Sequence, residues 1–276
     1  MKNFLIKSIQ KFLKILNLKI INLSNYKIIS RLPRSFYVYA LLPNSKKEKV
    51  LNLLSKSKSQ LGQDIFVSAF TNKDKKNFFV EFGATDGITN SNTYLLEKEL
   101  SWNGILVEPA KIWHKELCLN RTCLIDKRCI FTKSGERMEF LTVNKSANGK
   151  ITYNGKDPEP GLSTLKKYAD NGDWASKVRI RNSNQDIVET ITLNDLLDFY
   201  NAPKEINYLS IDSEGSELDI LKGFDFTKRR INIISVEHNY HRFNRKKIYE
   251  ILINLGYKRV YEELSKFDDW YILGDN

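Results

Sequence analysis

From Asn77 onward the chain alternates short apolar runs with helical stretches, and this rhythm limits the available folds more than any other feature of the sequence. The run at 78–82 (FFVEF) is broken only by Glu81, the pattern of a parallel strand buried on both faces. A Gly-containing turn follows, then a helix at about 92–100. The next strand spans 104–107 and ends on Glu108-Pro109, a helix covers 112–119, and a third short strand is expected at 129–131. Later strands are predicted at 208–211 and 231–236, each followed by a helical stretch, at 217–222 and 245–255. A last pair, 257–261 and 270–273, closes the sheet. Strand and helix in this order specify a doubly wound, mostly parallel, seven-stranded α/β sheet.

Residues 1–76 read as a basic N-terminal helical arm, and 77–276 as the globular body, with an inserted loop region at 144–189. In the arm, Pro33 ends a first segment and an aromatic-rich run at 36–42 is closed by Pro43. The Lys- and Ser-rich stretch at 45–59 contains Val50, Leu51, Leu53 and Leu54 and is expected to be helical, and 60–72 reads as a further amphipathic segment. The insert is rich in Asn, Gly, Asp and Lys and contains Asp157-Pro158-Glu159-Pro160-Gly161. A loop of this length inside a compact domain is usually functional, so it is expected to form part of a pocket or a lid.

The formal net charge of +11 invites a nucleic-acid partner, but its distribution argues against one. Ten of the 44 Lys and Arg residues precede the first acid, Glu48, and the rest of the chain is balanced to within a single charge. A nucleic-acid enzyme carries its basic patch around the site itself, so no nucleic-acid partner is expected. At 100° per residue Leu5, Ile9, Phe12, Leu16, Ile20 and Leu23 share one helix face, with Lys7, Lys11 and Lys14 opposite. Such a helix packs on its own domain or on a second subunit; the alternative is peripheral membrane contact through residues 1–24. The lysines interrupt what a secretory signal would keep apolar, and no run approaches the roughly 18 apolar residues of a membrane span. Cys118, Cys123 and Cys129 are odd in number and match no zinc spacing, which suits thiols in a reducing, cytoplasmic setting.

The strongest chemical signal is VEFGATDG at 80–87. A buried strand ending in Gly-x-x-Asp-Gly brings backbone N–H groups and a carboxylate to the open end of the sheet, where ligands bind. The turn lacks both G-x-G-x-x-G and the G-x-x-x-x-G-K-[ST] phosphate loop, which disfavours pyrophosphate binding and a dehydrogenase. Glu108, at the tip of the second strand, is placed to take both ribose hydroxyls of a nucleoside. IDSEGSE at 211–217 puts Asp212 and Glu214 at the carboxyl edge, while Glu217 reads as a helix-capping acid. VEHN at 236–239 places Glu237 and His238 at the same edge.

Together these segments resemble the FkbM family of S-adenosylmethionine-dependent methyltransferases. The resemblance runs through VEFGATDG, Ser91-Asn92-Thr93, GILVEP at 104–109, TLNDLL at 192–197 and YLSIDSEGSELDILKGF at 208–224, covering about 77–273. It implies a Rossmann-like class I methyltransferase that uses S-adenosyl-L-methionine to methylate an oxygen, commonly a hydroxyl of a sugar or secondary metabolite. Gly83, Ala84, Thr85, Asp86 and Gly87 would cradle the cofactor's methionine and ribose, Thr85 standing where the family turn commonly has Asn. Asn92 and Thr93 would support the turn, Glu108 would hold the ribose, and Glu214 is counted with the cofactor-binding residues. Asp212, Glu237 or His238 is expected as general base toward an acceptor hydroxyl of a sugar, glycan or glycolipid. Paired carboxylates here could instead hold Mg²⁺, although no metal ligand is assigned from the sequence. The alternatives are an RNA or protein methyltransferase, weakened by the absence of Asn/Asp-Pro-Pro-Tyr motifs, and a non-catalytic binding module on the same fold.

Overall fold

The apolar run FFVEF forms strand β1 (Phe78–Phe82) in the main sheet of the computed structural model, which describes residues 33–72, 75–144, 160–172 and 175–274. Among the described residues, the helices that precede it are α1 (Arg34–Leu41), α2 (Asn44–Val50) and α3 (Gln63–Phe70). After it come β2 (Asn103–Val107), β3 (Leu124–Asp126), β4 (Cys129–Ile130), β5 (Arg137–Val143), β6 (Thr164–Leu165) and β7 (Ser183–Ile191). The chain ends in β8 (Glu205–Ile211), β9 (Arg230–Glu237), β10 (Tyr257–Val260) and β11 (Asp268–Leu273). Helix α4 (Tyr94–Leu100) links β1 to β2, and α5 (His114–Asn120) links β2 to β3. Helix α6 (Ser176–Arg181) precedes β7, and α7 (Leu193–Phe199) precedes β8. The last three are α8 (Glu217–Gly223), α9 (Arg242–Asn254) and α10 (Glu262–Ser265).

The main sheet has the order β10-β11-β9-β8-β1-β2-β3. All neighbours from β9 to β3 are parallel, and β11 inserts antiparallel between β9 and β10. This is the doubly wound, mostly parallel, Rossmann-like sheet that the alternation predicts. Side chains alternate along β1: Val80 and Phe82 join one core with Leu209, Ile234 and the apolar faces of α7, α8 and α9. Phe79 joins the other, with Tyr208, Ile233, Trp270, Leu95 and Leu96. Both faces are covered, as near-continuous apolar strands require.

The described part of the arm is built into that second core. Val38, Ile65, Phe66 and Val67 are fully buried there, and the Phe66 ring stacks on Trp270 with centroids 5.1 Å apart. Each such side chain contributes about 1.5–3 kcal/mol when removed from water, so α1 and α3 are structural to the sheet. The aromatic run at 36–42 lies within a helix, and 45–59 divides into α2 and a 3₁₀ turn (Leu51–Lys56). The amphipathic face assigned to 1–24 lies outside the described residues. Among those described, no helix is long and apolar enough to cross a membrane.

One strand differs from expectation. The third strand of the main sheet is β3, while Cys129 and Ile130 open a second sheet of order β4-β7-β5-β6. Leu124 is exposed on the outermost strand, so the apolar signal of β3 is weaker than that of the buried Cys129-Ile130-Phe131. The second sheet takes in both sides of the insert, β5 pairing antiparallel with β7 from Arg137↔Glu189 to Val143↔Ser183.

Candidate active site

The order of the sheet reverses at β1, with β2 on one side and β8 on the other, and ligands bind beyond the carboxyl ends of the strands at such a point. A cavity of about 340 Å³ opens there. Gly83 and Thr85 line it from the turn after β1, Asn92 from the approach to α4, Asp212 and Glu214 from the end of β8, and Glu237 from the end of β9. Because β11 runs antiparallel, its first residue Asp268 lies opposite Glu237 and lines the same cavity.

Gly83 has φ +69°, and a Cβ there would sit 2.4 Å from the Asp212 carbonyl oxygen, so the approach of β1 to β8 requires glycine. The N–H groups of Gly83 and Ala84 donate to the Val107 carbonyl at 3.1 and 3.3 Å, folding the turn onto β2. Glu108 completes this junction, accepting the Thr85 N–H on Oε2 and the Ala110 N–H on Oε1, both at 2.8 Å. Burial pushes its carboxyl up to about 7 against those two N–H groups, so its charge is held in reserve for a better donor. Beside Glu108 a smaller apolar slot is lined by Val107, Cys129, Ile130, Phe140 and Leu165.

Other residues of the motif support the turn. The Asp86 carboxylate is used within it, accepting from the N–H groups of Ile88 and Thr89 at 2.8 and 2.7 Å and from the Thr89 hydroxyl at 2.8 Å. A Cβ on Gly87 would meet Arg121 and Leu117 below 3 Å, so this glycine lets α5 pack against the turn. Thr93 is buried and donates its hydroxyl to Glu81 at 2.5 Å, while Asn92 gives Glu81 its N–H at 2.6 Å and Ser210 its side-chain amide at 2.9 Å. The partner of this acid is Arg121, whose side chain has no exposure. It bonds Glu97 at 2.6 Å, the Gly87 carbonyl at 3.1 Å and the Thr93 hydroxyl at 2.9 Å.

The far wall is acidic. Burial raises the Asp212 carboxyl well above its usual range, and the charges of Glu214, Asp268 and Glu217 raise it further. Glu237 is raised in the same way, by burial first and then by Asp212 and Glu214. Burial also lifts Asp268 to about 7, against a hydrogen bond from Gln63. Glu217 accepts from the Ser213 N–H and the Gly215 N–H at 3.0 and 2.9 Å, so it braces the loop that leads into α8 and does not cap the helix's own N–H groups as expected.

The insert and the arm supply the remaining walls. Gly161, Leu162, Ala175 and Arg179 come from the insert, and Gln60 and Gln63 from the arm. Thr164 donates to the Glu214 carbonyl at 2.8 Å, Tyr168 bonds Asp219, and the buried Arg179 bonds Glu214 and the Leu162 carbonyl. The described part of the insert is thus fixed to the loop after β8.

His238 is placed differently from the carboxylates. Its Nδ1 accepts the Tyr240 N–H at 3.0 Å, which leaves the proton on Nε2, facing the Asp268 carbonyl at 3.0 Å. Burial lowers its pKa, so the ring stays neutral. With both nitrogens taken, and the ring beside a neighbouring cavity that it shares with Tyr240 and His241, His238 has no lone pair for an acceptor in the main cavity. The expectation of a base at His238 is therefore corrected; of the three candidates, Asp212 and Glu237 are the ones that line the main cavity. Arg121, Arg179, Gln63 and Asp268 escape sequence reasoning because none lies in a motif. Asp268 had a usable signal, since an antiparallel last strand must begin at the edge where its parallel neighbours end.

A model of the methyltransferase FkbM domain matches residues 81–259, and the chain belongs to that family. Among solved structures, the methyltransferase FkbM from Methylobacillus flagellatus KT is similar at 11% identity and a TM-score of 0.40, covering 90% of this chain and 60% of that one. No curated protein matches the sequence.

Proposed function

We propose that this protein is an S-adenosylmethionine-dependent O-methyltransferase that methylates a hydroxyl group of a sugar, glycan or glycolipid. The observation that carries the reading is that the Gly83 turn and Asp212 are shared by two cavities, one lined by the buried Glu108 and the other by Glu237. Glu108 would hold the ribose, with the slot of Val107, Ile130, Phe140 and Leu165 around the base. The Gly83–Thr85 backbone would lie along the rest of the cofactor. When bound, S-adenosylmethionine supplies a methyl group already activated on a sulfonium, so the protein's task is to position and deprotonate the acceptor.

Asp212 and Glu237 suit that task. Burial and their mutual repulsion raise both carboxyls well above the usual range, and a carboxylate of raised pKa is a stronger base than an ordinary one. Glu237 presents Oε2 without a hydrogen-bond partner among the described residues. The composition of the walls supports this acceptor class. Gln60, Asn90, Asn239 and the acids offer hydrogen bonds to hydroxyl groups, and the same acids repel phosphates and nucleic acid.

The test is transfer of radiolabelled methyl from S-adenosylmethionine to a panel of sugars and glycolipids, beside calorimetric titration of S-adenosylhomocysteine into wild type and Glu108→Gln. Micromolar binding weakened by the substitution, with label in a sugar, is the expected result. A folded protein that binds neither cofactor form refutes the reading.

A further inference from the structure

Beside the main cavity lies a second one of about 420 Å³, and the two have Glu237 and Asn239 in common. Its other walls come from the loop after β8, the turn between β9 and α9, and the insert. The insert contributes Asn171, and a Cβ on Gly215 would lie 2.4 Å from the Asn171 Nδ2, so the glycine makes room for that amide.

The turn at 238–241 is held by backbone bonds and presents an aromatic ring outward. The N–H groups of His238 and Asn239 donate to the Phe267 carbonyl at 2.8 and 3.1 Å, and the His241 N–H donates to the His238 carbonyl at 2.7 Å. The Tyr240 N–H donates to His238 Nδ1, and the two rings meet edge to face with centroids 5.9 Å apart. Asn239 and Tyr240 both have left-handed backbone, at φ +43° and +59°, which is uncommon for residues other than glycine. Yet Tyr240 is 63% exposed, so this strained turn buries little of the ring that it fixes. A rigid, exposed tyrosine on a polar cavity offers a ligand a large contact at small entropic cost.

We infer that the second cavity is a sugar subsite, in which the Tyr240 ring takes the apolar C–H face of a pyranose and the amides of Asn171, Asn239 and Asn244 take its hydroxyl groups. The C–H groups of that face carry a small positive charge and suit the negative face of an aromatic ring. His241 adds a donor, because its Nδ1 accepts the Asn244 N–H at 3.3 Å and the proton is left on Nε2. A nucleobase would need apolar cover on both faces, and among the described residues Tyr240 is the only Phe, Tyr or Trp that lines this cavity. That the bound sugar is the methyl acceptor rests on the methyltransferase reading. One of its hydroxyl groups would then lose its proton to Glu237, common to both cavities, as the oxygen takes the methyl group from the sulfonium. Binding beside Tyr240 does not depend on that reading.

Methyl glycosides of glucose, galactose, mannose, rhamnose and N-acetylglucosamine are titrated into the full chain and followed by saturation-transfer difference NMR, with Tyr240→Ala and Tyr240→Phe alongside. The expected result is binding of at least one glycoside, weakened about fivefold or more in Tyr240→Ala and retained in Tyr240→Phe, which keeps the ring. Circular dichroism confirms that both variants fold, and S-adenosylhomocysteine, titrated separately by calorimetry, binds them as it binds wild type. Glycoside binding indifferent to Tyr240→Ala overturns the subsite. No glycoside bound by the folded wild type overturns it as well, and S-adenosylhomocysteine binding by the same protein then keeps the methyltransferase reading in place. Cosedimentation with phosphatidylglycerol vesicles that is lost in Tyr240→Ala, with no glycoside bound, assigns the ring to a lipid surface and overturns the subsite too. Glycoside binding lost in Tyr240→Ala, with no S-adenosylhomocysteine bound by any form, supports the subsite and removes the methyltransferase reading.

Discussion

Gln63 donates through Nε2 to Oδ2 of Asp268 at 2.7 Å, joining a helix that precedes the first strand to the last strand of the sheet. The same side chain accepts the Leu61 N–H at 2.9 Å, and both partners of the long-range bond are buried at the cavity wall. The arm thus closes one side of the site and supplies a donor to one of its acids. Gln63→Ala leaves the Asp268 carboxyl without this donor, at an expected cost of about 1–3 kcal/mol. Gln63→Glu should cost more at neutral pH, because it sets a second acid beside Asp268. Urea denaturation of the two variants measures both effects; a Gln63→Glu protein as stable as wild type contradicts the placement.

Arg121 is expected to matter more than its isolated position in the sequence suggests. Its guanidinium lies 2.6 Å from Glu97 and 3.8 Å from Glu81, and it also bonds the Gly87 carbonyl of the glycine turn. Arg121→Met removes the buried cation that Glu81 and Glu97 share, leaving only their hydrogen bonds and Lys98 to offset the charges, and the expected loss is about 3–5 kcal/mol. Arg121→Lys keeps the charge but cannot reproduce the fork, so it should recover only part of that stability. Equilibrium unfolding in urea distinguishes the two.

The sequence carried the sheet because β1, β2, β8 and β9 are buried on both faces and read as continuous apolar runs. It carried the acids at the strand tips for the same reason: a carboxylate at the end of such a run is conspicuous. It did not carry the second sheet, where β5 and β7 mix exposed polar with buried apolar positions and resemble loop. Nor did it show Arg179, a basic residue in a polar segment whose partner Glu214 lies 35 positions away. His238 shows the opposite error. Its place at a strand tip was legible, but the backbone groups that occupy its ring, a local turn's N–H at Tyr240 and a carbonyl at Asp268 on the last strand, leave no trace in composition.

Arg179 ties the insert to the acidic wall, and its removal should separate acceptor handling from cofactor binding. Arg179→Ala leaves Glu214 among like charges and frees the Leu162 carbonyl. The expected outcome is a fall of about tenfold or more in kcat/KM for the acceptor, equivalent to ~1.4 kcal/mol of lost transition-state stabilisation. The Kd for S-adenosylhomocysteine should change less, since Glu108 and the Gly83 turn are untouched. Equal losses in both quantities would reassign Arg179 to the cofactor.

Glu108 predicts how cofactor affinity depends on pH. Burial holds its folded-state pKa at about 7, above the 4.5 of an ordinary glutamate, so the free folded protein binds a proton here that the unfolded chain has already released. From this group alone, stability of the free protein declines as pH rises from 4.5 to 7 and levels off above. Ribose hydroxyls donate to the ionised carboxylate and favour it, so cofactor binding pulls the pKa down and expels the proton. Affinity for S-adenosylhomocysteine should therefore be flat above pH 7 and weaken by up to about tenfold per unit as pH falls below it. Glu108→Gln, which cannot titrate, should bind more weakly at pH 8 and lose this slope. Calorimetry between pH 5.5 and 8.5, in buffers of different ionisation heat, reads both the affinity and the proton released. A slope that survives the substitution would assign the proton to a different group of the crevice.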